Sequence, residues 1–238
     1  MELSKRLQSV ANLVTSANRV ADVGCDHAYM SIYLIKNKKS PYVIAMDVNK
    51  GPLQRAHDNI VKYGCQGLIN IRRSNGLEKL EIGEVDTVLI AGMGGILTVE
   101  ILSQYMDITK SLKELVLQPQ SDTNIVRRFL SDISYSIVEE NMVKEDGKFY
   151  AMIKAIPNYK LESINPYELT HIEHECYGRM LLEAKHRILK EFLHKERDKC
   201  NRIISNLKNN LKAEALERRE EVIQKLGIIE KALEYYEY

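Results

Sequence analysis

Along the first 157 residues, short apolar runs alternate with segments whose apolar residues recur every three or four positions. The runs are RVADVG (19–24), YVIAMD (42–47), LINIRR (68–73), DTVLIAG (86–92) and LKELVLQ (112–118). They are nearly continuous in Val, Ile, Leu and Ala, the texture of strands covered on both faces. Between them HAYMSIYLIKNK, GPLQRAHDNIVKYG, GILTVEILSQYM and SDTNIVRRFLSDI carry helical spacing, and Ser121 or Asp122 is placed to cap the last. Two further runs, YSIVEENMV (135–143) and KFYAMIKAI (148–156), flank the turn signal KEDG. Five strand runs interleaved with four helical segments and closed by a hairpin predict an open, mostly parallel α/β sheet with helices on both faces. The opening MELSKRLQSVANLV reads as a short amphipathic helix, not as a signal peptide.

After Pro157 the texture changes. NYKLESINPYELT (158–170) reads as irregular within a linker taken to residue 180, and residues 181–238 read as a helical appendage. Its apolar positions are Ile188, Phe192, Ile203, Leu207 and Leu211, then Val222, Leu226, Ile229, Leu233 and Tyr236 in 4-3-4-3 spacing. That spacing is a coiled-coil seam, and a bend at SNLKNN (205–210) predicts two antiparallel helices. The organisation expected is therefore a 1–157 domain, a 158–180 linker and a 181–238 hairpin.

Composition narrows the function classes. With 238 residues, 45% hydrophobic and 28% charged, the chain suits a soluble globular domain with an appendage. No apolar run approaches the ~20 residues of a spanning helix, so a membrane partner is not expected. Scattered Cys25, Cys65, Cys176 and Cys200 form no paired motif, which fits free thiols in the cytoplasm and no metal site. The net charge of +1 points to no partner, yet residues 185–212 hold nine basic residues against three acidic ones. A solvated face is the plain explanation of such a run; nucleic-acid contact is the functional one.

In open parallel sheets ligands sit beyond the carboxyl ends of the strands. Those ends here read DVGCDHAY, AMDVN, RRSNG and AGMGG. Gly24 lets backbone approach a ligand; Asp47 is placed to accept from vicinal ribose hydroxyls; Asn75 and Gly76 can frame an adenine edge. A nicotinamide cofactor would need G-x-G-x-x-G to seat its pyrophosphate, whereas a carboxylate at Asp26 would repel one. Asp22, Asp26 and Asp47 instead suit a nucleoside carrying an ammonium and a sulfonium, S-adenosylmethionine.

These motifs carry a resemblance. RVADVGCDHAYMSIYL, AMDVNKGPLQRAHDNI, NGLEKL, LIAGMGGILTVEIL, LQPQSDTNIVRRFL and EDGKFYAMIKA resemble the bacterial tRNA (adenine-22-N1)-methyltransferases. Departures fall at Ser31, where that pattern has proline, and at Gly178-Arg179, where Gly-Pro is common. The resemblance implies a Rossmann-like methyltransferase fold, seven-stranded with a terminal β-hairpin, plus a helical hairpin. It implies S-adenosylmethionine as donor and N1 of adenine 22 in the tRNA D-arm as acceptor. By position, Asp22, Gly24, Asp26, Asp47, Val48, Asn75, Gly76, Ala91, Gly92, Met93 and Gly94 would hold the donor.

The chemistry agrees with the residues present. Adenine N1 offers a lone pair without deprotonation, so no nucleophile-activating dyad is needed. The product ring is cationic, and a nearby carboxylate stabilises such charge; Asp26 is the expected source, with His27 and Tyr29 lining the acceptor side. Because N1 lies on the pairing edge, the base must be turned out at a cost of a few kcal/mol. Arg6, Arg72, Arg73, Lys190, Lys195, Lys199 and Arg202 are the expected phosphate contacts. Rival readings are a methyltransferase for another RNA position, a protein or a small molecule, or an inactive RNA-binding scaffold. The chain is expected to act as a monomer.

Overall fold

The computed structural model describes residues 2–160, 169–208 and 212–237, which form two compact units, Met1–Glu168 and Leu169–Tyr238. In the first, β1 (Val20–Val23), β2 (Val43–Asp47), β3 (Ile69–Arg73), β4 (Thr87–Met93) and β5 (Glu114–Pro119) are parallel. β6 (Tyr135–Glu145) and β7 (Lys148–Pro157) form the closing hairpin, and the sheet order is β3-β2-β1-β4-β5-β7-β6. β7 runs antiparallel to β5. Asp146 and Gly147, both left-handed at φ 49° and 73°, make the turn, as an Asp-Gly hairpin requires.

Strand alternation sends side chains into two cores. Val43, Ala45, Leu89 and Val116 join α1 (Lys5–Leu13), α2 (Tyr29–Lys36) and α3 (Lys50–Lys62) on one face. Ile44, Met46, Val88, Ile90, Leu115 and Leu117 are buried on the other, with α4 (Gly95–Gln104), α5 (Met106–Ser111) and α6 (Thr123–Asp132). The expected strands and helices are present; α1 starts at Ser4, whose Oγ accepts from the Leu7 N–H at 3.3 Å. The cap expected for α6 does not form. Asp122 stands at the N-cap in a left-handed conformation without a side-chain cap bond, and its carboxylate accepts from Ser121 Oγ instead.

The second unit holds α7 (Ile172–Tyr177), α8 (Arg179–Glu183), α9 (Arg187–Leu207) and α10 (Ala213–Glu234). Part of the expected linker, residues 161–168, lies outside the described residues, but its last part is helical, at Ile172–Tyr177 and from Arg179 onward. Gly178, at φ 90°, divides the two short helices and hides their periodicity. Tertiary contacts fix them: His174 Nε2 lies 2.6 Å from Tyr235 OH, and Tyr177 meets Phe192 edge-on. α9 and α10 pack together, with Val222, Ile229 and Leu233 buried as the spacing required. On α9 the buried residues are Leu189, Leu193 and Cys200; the first two lie one residue after the expected Ile188 and Phe192, which are left half-buried. Ile188-Leu189 and Phe192-Leu193 are apolar pairs, and only the partner helix decides which member faces inward. Residues 209–211, and with them Leu211 and the end of the expected bend, lie outside the described residues.

Candidate active site

β1 and β4 are neighbours where the strand order reverses, the point at which a doubly wound sheet opens a crevice. The chain leaves β1 sharply, because the Gly24 and Cys25 N–H groups both donate to Met46 O, at 2.8 and 2.9 Å. Gly24 is left-handed at φ 76°, and a Cβ there would overlap Met93 Cε. Met93 reaches that point through a bulge in β4. Ala91 pairs with Gln118 and Met93 with Pro119, leaving Gly92 as the extra residue at φ 84°.

The loop after β1 is strained and tied down. Asp26 and Ala28 are left-handed at φ 45° and 56°, each costing about 1 kcal/mol or more for a residue with a Cβ. Ala28 N–H donates to Cys25 O at 2.7 Å, Asn59 Nδ2 donates to His27 O at 3.0 Å, and Arg55 pairs with Asp26 Oδ1 at 3.2 Å. His27 and Tyr29 rings stack, 5.5 Å apart and 12° from parallel, with Tyr29 40% exposed.

Asp22 is buried and accepts from Ser31 Oγ at 2.6 Å. Burial pushes its carboxyl up to about 6, against the Ser31 hydrogen bond, and the charge of Asp47 adds to the rise. The Asp26 side chain is 63% exposed and pairs with Arg55.

A cleft of about 280 Å³ brings together Arg6, Leu7, Asp22, Gly24, Cys25, Asp26, His27, Tyr29, Met30, Ala91, Gly92 and Gln120. A second hollow, about 260 Å³, is lined by Val48, Arg73, Ser74, Asn75, Glu78 and Lys79. Asp47, at the end of β2, accepts from the Asn49 N–H and bonds Ser74 N–H through its backbone carbonyl. Four expected positions, Asp47 among them, line neither space. Met93 fills the gap beside Gly24; Gly94 stands at the N-cap of α4; Gly76, at φ 56°, lies where a Cβ would sit 3.0 Å from Ile101 Cγ2. Packing against α4 thus explains Gly76 as fully as a ligand does.

The basic residues also separate. Arg6 lines the first cleft, its Nη1 donating to Gln118 Oε1 at 2.6 Å and its guanidinium lying over the Tyr150 ring. Arg73 lines the second hollow. Arg72 does not present a free guanidinium: it binds Glu84 through two nitrogens at 2.6 and 2.7 Å and Lys79 O at 2.6 Å. In the second unit Lys190, Lys195, Lys199 and Arg202 are exposed on α9. Sequence reasoning missed Arg55, Asn59, Gln118 and Gln120. The QPQ at the end of β5 was a signal, since Gln118 puts a carboxamide inside a buried strand and Gln120 puts a second one just beyond its carboxyl end.

Comparison with known proteins adds a name to this geometry. Residues 3–153 match a family model described as a methyltransferase domain. The chain is 37% identical to the tRNA (adenine(22)-N(1))-methyltransferase of Bacillus subtilis over 155 residues, 65% of this chain and 65% of that enzyme. It is 33% identical to a putative tRNA methyltransferase of Mycoplasma genitalium over 80% of this chain and 84% of the relative. The chain belongs to the tRNA (adenine-22-N1)-methyltransferase family. A putative tRNA (m1A22) methyltransferase of Streptococcus pneumoniae, solved with S-adenosyl-L-methionine, superposes with a TM-score of 0.84 at 29% identity, covering 98% of this chain and 100% of that one. Among the described residues no helix is long and apolar enough to cross a membrane, and no group of three metal-ligating side chains occurs.

Proposed function

We propose that the protein transfers a methyl group from S-adenosylmethionine to N1 of adenine 22 in the D-arm of bacterial tRNA. The observation that carries this reading is the buried Asp22 carboxylate in the wall of a cleft opened by Gly24 and Gly92 at the strand-order reversal. A buried carboxylate with one short hydrogen bond calls for a cation, and the donor's ammonium and sulfonium supply positive charge. A pyrophosphate does not fit, since Asp26 and Asp22 line the same cleft. Asp22, Gly24, Ala91 and Gly92 would hold the amino-acid and sulfonium end, and Asp47, Val48 and Asn75 the nucleoside end.

When bound, the donor supplies a methyl carbon on a cationic sulfur: N1 forms the new bond with its lone pair, sulfur keeps the broken bond's pair, and the charge passes to the ring without a proton transfer. The chain's own contribution is positioning and field. Tyr29, stacked on His27, offers an exposed ring against which a turned-out base can lie. Asp22 and Asp26 hold negative charge on the cleft wall where cationic charge must remain stable. Arg6, Arg73 and the exposed cations of α9 would grip phosphates, while Arg72 serves the fold. The same reading assigns the protein to the cytoplasm, where its substrate is, acting as a single chain.

Incubation with unmodified tRNA and labelled donor, followed by mapping of the modified nucleotide, tests the reading. Label at N1 of adenine 22, lost when that base is replaced by uracil, is expected. Label at another position, or in small molecules only, would overturn it.

A further inference from the structure

Two glutamines flank Pro119, and the structure gives them different work. Gln118 is buried and engaged on both sides: Oε1 accepts from Arg6 and Nε2 donates to Pro119 O at 3.1 Å. Gln120 is exposed in the wall of the cleft, and its side chain makes no hydrogen bond among the described residues. Its Nε2 would lie 3.6 Å from a Cβ placed on Gly92, so the carboxamide rests beside the β4 bulge.

The side chain is free, but its backbone is not. Gln120 N–H donates to Met93 O at 2.8 Å, and Gly95 N–H donates to Ser121 O at 3.0 Å. Gly95 has no room for a side chain, because a Cβ would sit 2.5 and 2.6 Å from the carbonyl oxygens of Asp122 and Ser121. The strand ends of β4 and β5 are thereby locked together, with one unengaged carboxamide aimed into the space shared with Tyr29 and Asp26.

We propose that Gln120 binds the exocyclic N6 amine of the target adenine, accepting from it through Oε1. This rests on the methylation of adenine N1 proposed above and deepens it. N6 is the group next to N1 on the edge that must face the donor. When N1 is alkylated, the positive charge spreads over N1, C6 and N6, and the N6 hydrogens become stronger donors. An acceptor on N6 therefore binds the transition state more tightly than the ground state, which raises turnover as well as selectivity. A carboxamide suits this place because its oxygen accepts from the amine without adding a further charge to a cleft already lined by Asp22 and Asp26.

The test deletes each partner of the proposed bond. Gln120→Ala and Gln120→Glu are compared with the unaltered protein on tRNA carrying adenine or unsubstituted purine at position 22. The purine base keeps N1 and lacks the amine, and its lower intrinsic reactivity cancels between proteins. The unaltered protein should prefer adenine, and Gln120→Ala should shrink that preference by ~10- to 100-fold in kcat/KM, the worth of a hydrogen bond to a charged group. Gln120→Glu, which keeps an acceptor, should retain the preference. Binding without donor gives an independent readout: unaltered protein should hold adenine-22 tRNA more tightly than purine-22 tRNA, and Gln120→Ala should hold both alike. Donor affinity and thermal midpoint should be the same in all three proteins. An unchanged adenine-to-purine ratio in Gln120→Ala overturns the proposal, as does Gln120→Glu behaving like Gln120→Ala. Failure of the unaltered protein to label adenine 22 would instead remove the parent reading, and this inference with it.

Discussion

Replacing Asp22 with Asn tests whether the site is built at the expense of the fold. Asp22 is buried, and its carboxyl is held near 6 against an ordinary value of 3.8. A group whose folded value is raised contributes stability that is complete below the unfolded value and is lost as pH climbs through the folded one. The difference, at 1.36 kcal/mol per pH unit, makes ionised Asp22 a burden of about 3 kcal/mol above neutrality, as an order of magnitude. Asp22→Asn removes that burden, and Ser31 Oγ, 2.6 Å from the carboxylate, remains available as its partner. Urea denaturation of the protein without ligand should find the variant more stable at about pH 8, by up to ~3 kcal/mol, with the gap closing toward about pH 4. Acid-sensitive groups shared by both proteins, such as the Asp86 carboxyl held low by Arg19 and Lys113 against its burial, cancel in that difference. Calorimetry should show the opposite trend in function: donor affinity is lost in the variant, and in the unaltered protein it falls as pH drops through about 6, where the carboxylate takes up a proton. A gap that stays constant with pH, or a variant less stable at pH ~8 than at pH ~4 relative to the parent, would refute the reasoning.

Four further perturbations separate fold from site. Gly24→Ala must adopt φ 76° and displace Met93 Cε, so it should cost at least ~1–2 kcal/mol of stability and weaken donor binding. Gly64→Ala, at φ 61° with nothing within 4 Å, should carry the backbone cost alone and bind donor normally in the same titration. Arg127→Met leaves Glu140 buried without the 2.8 Å Nε–Oε1 bond of that pair, and chemical denaturation should show a loss of about 3–5 kcal/mol. Reversing Lys190, Lys199 and Arg202 to Glu should weaken tRNA binding several-fold at low salt and flatten its salt dependence, with donor affinity unmoved; unchanged tRNA affinity would remove α9 from the binding surface.

The sequence by itself determined the alternation of strands and helices, because short continuous apolar runs rich in Val and Ile, broken by turn residues, fit strands buried on both faces, and the segments between them carry helical spacing. It also determined which loops could carry a ligand, since Asp22, Gly24 and Asp47 stand at the ends of such runs. It left three matters open. The register of α9 depended on whether Ile188 or Leu189, and Phe192 or Leu193, met the partner helix, and periodicity cannot rank two adjacent apolar residues. The helices at 172–183 draw their order from Tyr235 and Phe192, which lie far away in the chain. Only the tertiary structure decided which polar groups face the cleft: Arg72 was claimed by Glu84, Gly76 by Ile101, and Gln118 by Arg6, leaving Asp22 and Gln120 to the ligand side. Hydrogen-bond partners compete across the fold, and the winner depends on distances that no linear spacing contains.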